Sequence, residues 1–396
     1  MDIHEKCDCS YCNKKIKKIR ELGEDDLWNP YVAFLKKDYA PNHSPIEDKK
    51  AYLDVISKFM KLKQELNESK NPGKIKKLCS MLESEWVSDN YNEKSLMLNG
   101  VHAFYNVLED VIDDSLPLNT RNKRMFLERI GMLVLGVYSK EDNLSLGHSA
   151  DYIKDLEKRA ESKESFDEET PLNKDILKAA RNGVNTAISA LRDLNNSRMT
   201  LAITGTPGHH CAYDKNYGGL CYYNNAAITA NYLNHMGIRT AILDVDSHFA
   251  NGTANIAEKS RKWSLVDLHE QVWASPFSEG DSTGEKSDRF CKNYSLNIGA
   301  NTQIYTPKLK QAMEQIYFER PKVLITCLGV DSHVKDPFGL LALDTEAFKQ
   351  IGSEIGEFLM QTNSKCIFLT EGGYGKMSPY LIASTISEAN KKIYKP

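Results

Sequence analysis

Residues 240–253, TAILDVDSHFANGT, read as a buried strand that ends in a site. Thr240-Ala241-Ile242-Leu243 is a continuous apolar run, the pattern of a strand covered on both faces. Asp244, Asp246 and His248 follow at alternate positions. The same grammar recurs along the chain. The run 199–204 leads into Gly205-Thr206-Pro207-Gly208-His209-His210. The run 322–328 leads into Gly329-Val330-Asp331-Ser332-His333, and 366–370 into Glu371-Gly372-Gly373-Tyr374-Gly375. Two more β-prone runs stand at 264–268 and 294–298, with helix-like segments at 225–236, 307–318 and 345–360. This alternation predicts a mainly parallel α/β sheet with helices on both faces. Ligands of such sheets bind beyond the carboxyl ends of the strands. Four strand ends bearing titratable groups therefore predict one site on that edge.

Upstream, hydrophobic periodicity predicts helices near 101–112, 121–136, 149–160 and 173–194. Residues 1–95 read as a separate N-terminal helical extension, and 96–396 as the main domain. Within the extension, Ser44-Pro45-Ile46-Glu47 is a helix start with a capping box, and Leu53, Ile56 and Met60 recur at helical spacing. His4, Cys7, Cys9 and Cys12 have zinc-ligand chemistry. Structural zinc sites usually draw on two separated pairs, so this stretch reads instead as a flexible terminus.

The composition excludes several classes. A net charge of -3 gives no electrostatic reason to expect direct nucleic-acid binding. No apolar run approaches the roughly 20 residues of a membrane helix, and the start lacks the apolar stretch of a secretory signal. Nine cysteines, an odd number scattered over 396 residues, fit reduced thiols in a cytoplasmic setting better than a disulfide framework.

The strand-end residues carry the chemistry. In an extended segment Asp246 and His248 point the same way, and a catalytic zinc site wants three protein ligands with one position open. Asp331 can supply the third. Zn²⁺ suits two carboxylates and an imidazole; Fe²⁺, Co²⁺ and Mn²⁺ fit the same ligand types. A capped turn accounts for one Asp in a loop, but not for three such groups beside a second His pair. His209 and His210, adjacent after Gly and Pro on an extended entry, are expected to diverge, each to its own partner. Two imidazoles beside a metal suit proton transfer, and Tyr374 in its glycine turn can offer a phenol to an oxyanion.

In their order and wording these segments resemble the metal-dependent histone deacetylase and acetylpolyamine amidohydrolase family. The resemblance rests on HSADYIKDL (148–156), ETPLNKDILKAARNG (169–183), TPGHHCAYDKNYGGLCYYNNAAI (206–228), ILDVDSHFANGT (242–253), CLGVDSHVKDPFG (327–339) and LTEGGYG (369–375). It implies an arginase/deacetylase-like α/β fold and hydrolysis of an N-acyl amide. Asp246, His248 and Asp331 would hold the metal. His210 would be the general base and His209 its electrostatic companion, with Asp244 behind His209 and Asn251 behind His210. Tyr374 would stabilise the oxyanion. A second cation, usually K⁺, would lie against Asp244, Asp246, His248, Asp267 and Leu268.

This chain departs from the family pattern at several places. Asp267 stands where the family has Ser, and Leu220 where a tunnel Phe is usual; Gly375 replaces a common Asn. Phe249-Ala250 follows the ligand His248 in place of the usual His-Gly. Gly219, Leu220, Phe277, Phe338 and Gly373 are the residues expected to contact substrate. Phe338 occupies the position where polyamine-selective members carry a Glu. That favours acetyl-lysine in a protein or peptide, histones among them, over an acetylpolyamine. A reader of acyl-lysine without turnover is the reading from another class. The oligomeric state is not legible in the sequence.

Overall fold

The structure is a computed structural model, and it describes residues 96–106, 116–118, 120–137, 141–167, 170–271 and 289–394, together with Lys61. Apart from Lys61, the expected extension over 1–95 lies outside these residues, as do the His4/Cys7/Cys9/Cys12 cluster and Phe277.

Eight strands form one sheet: β1 His102–Tyr105, β2 Leu133–Gly136, β3 Met199–Ile203, β4 Thr240–Asp244, β5 Ser264–Glu270, β6 Cys291–Leu296, β7 Val323–Leu328 and β8 Lys365–Thr370. Their order is β2-β1-β3-β8-β7-β4-β5-β6, and every pairing is parallel. The helices are α1 Thr120–Arg129, α2 Ala150–Ser162, α3 Lys174–Asp193, α4 Asn225–His235, α5 Asn251–Ser260, α6 Thr302–Glu319, α7 Thr345–Thr362 and α8 Ser378–Tyr394. Among the described residues no helix is long and apolar enough to cross a membrane.

The core lies on both faces of the sheet. On one face Leu243, Val266 and Leu328 meet Tyr305 and Met313 of α6 and Phe348 of α7. On the other, Ile242, Leu265 and Ile325 meet the α3, α4 and α5 side chains. Strands buried on both sides explain the unbroken apolar runs. Helices α7 and α8 approach closely, because a Cβ on Gly352 or Gly356 would stand 2.0 Å from Thr385 O or 2.4 Å from Ala389 O.

Helix starts are capped by side chains that satisfy the first free N–H groups. Asn173 caps α3, Asn224 caps α4, Asn301 caps α6 and Asp344 caps α7. The start of α6 therefore lies at Thr302, and Pro307, where periodicity alone begins the helix, sits inside it.

Two expectations are corrected. Residues 102–105 are a strand and not part of a helix; β1 is paired on both sides, to β2 and β3, and its last three residues are buried. Hydrogen bonding and burial in mid-sheet outweigh the weak local periodicity. The helix expected over 121–136 stops at Arg129, and Gly131 at φ +85 turns the chain into β2. Helices α5 and α8 were not foreseen.

Asp344 Oδ1 accepts from Glu346 N at 3.0 Å and Ala347 N at 3.2 Å, and also takes the Thr302 hydroxyl at 2.7 Å, so it ties the starts of α6 and α7 together. Asp344→Ala should lower unfolding stability by about 1–2 kcal/mol in a urea titration; an unchanged midpoint would contradict this capping role.

Candidate active site

The polar strand ends belong to β3, β8, β7 and β4, which are neighbours in the sheet. Adjacency brings together residues that are up to 165 positions apart in the chain, from His209 to Tyr374. The chain passes from β3 through α4 to β4, leaving room between them for β8 and β7, so the site lies at a crossover of the strand order.

Asp246, His248 and Asp331 each present one ligand atom, all within 4.8 Å of one another. His248 Nδ1 is 2.9 Å from Asp331 Oδ2 and 3.1 Å from Asp246 Oδ1. The local path differs from the extended segment expected. Residues 246–248 bend, with Asp246 N donating to Asp244 Oδ1 at 3.0 Å and His248 N to Asp246 Oδ1 at 3.0 Å. The bend is what turns the ligand atoms inward. Ser247 N, between the two ligands, donates to Asp331 Oδ1 at 2.9 Å, and Gly372 N to Asp246 Oδ2 at 2.8 Å. Gly372 is required by space, since a Cβ there would stand 2.5 Å from Asp331 Oδ2 and 2.6 Å from Asp246 Oδ2.

The two histidines occupy a turn, and their ring centroids are 4.2 Å apart, so they do not diverge. Their partners do differ. His209 Nδ1 faces Asp244 Oδ2 at 3.3 Å, whereas His210 Nδ1 faces Asn251 Oδ1 at 2.8 Å. Asn251 Oδ1 also accepts from Gly252 N at 2.9 Å. It is therefore an acceptor, His210 Nδ1 is the donor, and the lone pair of a neutral His210 lies on Nε2. Burial depresses the pKa of both rings. At His209 the charges of Asp246 and Asp244 overrule it and raise the pKa to about 10. At His210 nothing does: the neighbouring imidazoles of His209 and His248 push it further below the ordinary value. Gly219, at φ +62, packs against this ring; a Cβ there would be 2.2 Å from His210 Cδ2.

Tyr374 lies against the cluster that contains Leu220, and its ring centroid is 4.7 Å from that of Phe338, edge to face. Burial, then the charges of Asp331 and Asp246, raise its phenol well above the usual tyrosine value, which keeps it a proton donor. Gly373 adopts φ +134 and its carbonyl accepts from Ser378 Oγ at 3.0 Å. Leu220 is buried beside Gly219, also in the left-handed region at φ +61, and its N donates to Thr170 Oγ1 at 3.1 Å.

Around the cluster some oxygens of the buried carboxyl groups have no donor among the described residues. Asp267 is the register partner of Asp244; its Oδ2 accepts from Ala250 N at 2.9 Å, while its buried Oδ1 has no hydrogen-bond partner among the described residues. Leu268 beside it is fully buried. Glu371 Oε2 accepts from Gly208 N at 2.7 Å, and burial raises this carboxyl to about 8. Buried anions without counter-charge are costly, so the donor set fits one or more cations.

Two residues with clear work here were not singled out in the sequence, although Asp336 lies within the 327–339 stretch. Asp336 Oδ2 accepts from Tyr374 N at 2.7 Å and Gly375 N at 2.8 Å, and Oδ1 from Phe338 N at 3.0 Å. Glu270, the last residue of β5, is buried behind His248. Each is a single carboxylate with no spacing motif around it.

The family model for the histone deacetylase domain matches residues 125–388. Acetylpolyamine amidohydrolase 2 of Pseudomonas aeruginosa is 32% identical over 221 residues, covering 53% of this chain and 61% of that protein. Histone deacetylase 6 of Caenorhabditis elegans is 25% identical over 250 residues, covering 60% of this chain and 26% of that protein. The chain thus spans less than two thirds of either relative. The crystal structure of acetylpolyamine aminohydrolase from Burkholderia pseudomallei matches with a TM-score of 0.62 at 17% identity, over 74% of this chain and 99% of that one, and shows a shared fold.

Removing a buried acceptor exposes its donors. Asp336→Ala should raise hydrogen exchange at the Tyr374 and Gly375 amides by about tenfold or more, leaving α7 unchanged. Unaltered exchange at both amides would contradict the role given to Asp336.

Proposed function

The chain belongs to the histone deacetylase domain family, and from that premise we propose that it hydrolyses an N-acyl amide, with acetyl-lysine in a protein or peptide as substrate. The observation that carries the reading is the Asp246/His248/Asp331 cluster flanked by a histidine pair with unlike partners, Asp244 and Asn251.

Asp246, His248 and Asp331 would hold a divalent metal, Zn²⁺ by ligand type, which when bound polarises the acyl carbonyl and makes a water more acidic. His210 takes a proton from the attacking water on Nε2, the nitrogen that does not face Asn251. It then returns that proton to the departing amine. His209, held charged between Asp244 and Asp246, supplies fixed positive charge and keeps His210 neutral beforehand. Unlike environments on two adjacent titratable groups separate their roles. Tyr374 donates its phenol proton in a hydrogen bond to the carbonyl oxygen as charge develops there. Asp336 holds the Tyr374 turn at the site. The second cation, K⁺ in the family pattern, would lie near Asp244 and Asp267, where Asp267 adds a carboxylate in place of a hydroxyl.

Substrate choice rests on Phe338. Its ring stands beside Tyr374 with no charge to attract a cationic polyamine. The acetylpolyamine reading is favoured by a different observation, the name of the 32% identical Pseudomonas relative. An acetyl-lysine peptide and N-acetylputrescine assayed side by side, with and without a chelator, separate the two. The expected outcome is chelator-sensitive cleavage of the peptide in preference to the acetylamine. Preference for the acetylamine reverses the substrate assignment, and peptide binding without cleavage of either compound makes the protein a reader.

Tyr374→Phe should lower kcat by about 100-fold or more with metal content unchanged. Loss of metal from that variant would contradict the role of Tyr374.

A further inference from the structure

Glu270 is a buried carboxylate that the proposed reaction does not use, and two of its three partner residues, Ser247 and His248, belong to the metal-ligand loop. It ends β5 and is 3% exposed. Oε2 accepts the Ser247 hydroxyl at 2.5 Å and Leu340 N at 2.6 Å. Its own N donates to Ser247 O at 2.7 Å, so Glu270 and Ser247 are latched in both directions. Oε1 faces His248 Nε2 at 3.9 Å.

The imidazole of His248 therefore lies between two charged regions. Nδ1 points at Asp246 and Asp331, and Nε2 points at Glu270. A histidine that gives its Nδ1 lone pair to a metal must carry its proton on Nε2. At 3.9 Å this is an electrostatic approach, longer than a hydrogen bond; a carboxylate charge facing that N–H favours this tautomer and makes the ring a stronger donor. Oε2 does a second job. It fastens Ser247, the residue between two ligands, to Leu340, two positions beyond Phe338. The space there is tight, since a Cβ on Gly339 would stand 2.6 Å from Ser247 Oγ.

We propose that Glu270 is a positioning residue for the metal: its charge sets the tautomer and ligand strength of His248, and its other oxygen locks the ligand loop to the loop that carries Phe338. The inference rests on the reading of Asp246, His248 and Asp331 as metal ligands.

The test is zinc affinity, measured by competition with a chromophoric chelator on the full chain after metal removal. Glu270→Gln is nearly isosteric and keeps an oxygen for Ser247 and Leu340, but loses the charge. Ser247→Ala removes one hydrogen bond and leaves the charge. Wild type should take up zinc at one tight site. Glu270→Gln should bind it about 10-fold or more weakly, with the thermal midpoint of the metal-free protein unchanged. Ser247→Ala should change affinity by less than about threefold. Equal affinity in wild type and Glu270→Gln overturns the proposal. An equal loss in both variants overturns the role of the charge and leaves Glu270 as a fastening for Ser247 only. A wild-type chain that takes up no zinc overturns the ligand reading itself, and this inference with it.

Discussion

The constraint on which this structure turns is a concentration of buried carboxyl groups. Asp244, Asp246, Asp267, Glu270, Asp331 and Glu371 are all buried at one edge of a parallel sheet. Carboxylates do not stay there unless the surroundings answer them. The backbone answers first, through the N–H groups of Ser247, His248, Gly372, Ala250, Gly208 and Leu340. Imidazoles answer next: His209 lies against Asp244 and Asp246, and His248 against Asp246 and Asp331. Among the described residues, Oδ1 of Asp267 is left without a hydrogen-bond partner. Sheet order makes the concentration feasible, because the loops converge from four adjacent strands.

The same field differentiates two chemically identical rings. A carboxylate behind His209 holds it charged. An amide behind His210, whose oxygen is already committed to Gly252 N–H, fixes the tautomer without adding charge. The charged ring then keeps its neighbour neutral at a ring separation of 4.2 Å. Acid–base function on this account depends less on the histidines than on the residues placed behind them.

Much of this was legible in the sequence, and the reason is physical. A strand buried on both faces must be a continuous apolar run, so its end is conspicuous, and the groups that follow it announce themselves. Hence Asp246, His248, Asp331, His210 and Tyr374 stood out. Strand β1 did not, because four residues flanked by helical periodicity look like part of a helix until two neighbouring strands pair with them. Helix α5 was hidden because it begins at Asn251, inside the site, with Gly252 and Thr253 in its first turn. The bend through 246–248 and the closeness of the His rings are tertiary effects, as is the pairing of Glu270 with Leu340 across 70 residues. A lone carboxylate carries no periodicity, so Glu270 could not be singled out from its neighbours, and Asp336 was passed over inside the 327–339 stretch.

The claim at the centre is that this edge of the sheet gathers its charge to hold a metal at one place. Anomalous diffraction from crystals of the zinc-loaded protein, recorded at the zinc absorption edge, tests it most directly. The account predicts one strong peak about 2.0–2.2 Å from His248 Nδ1 and from a carboxylate oxygen of each of Asp246 and Asp331. A strong peak elsewhere, or none between these three residues, would contradict it.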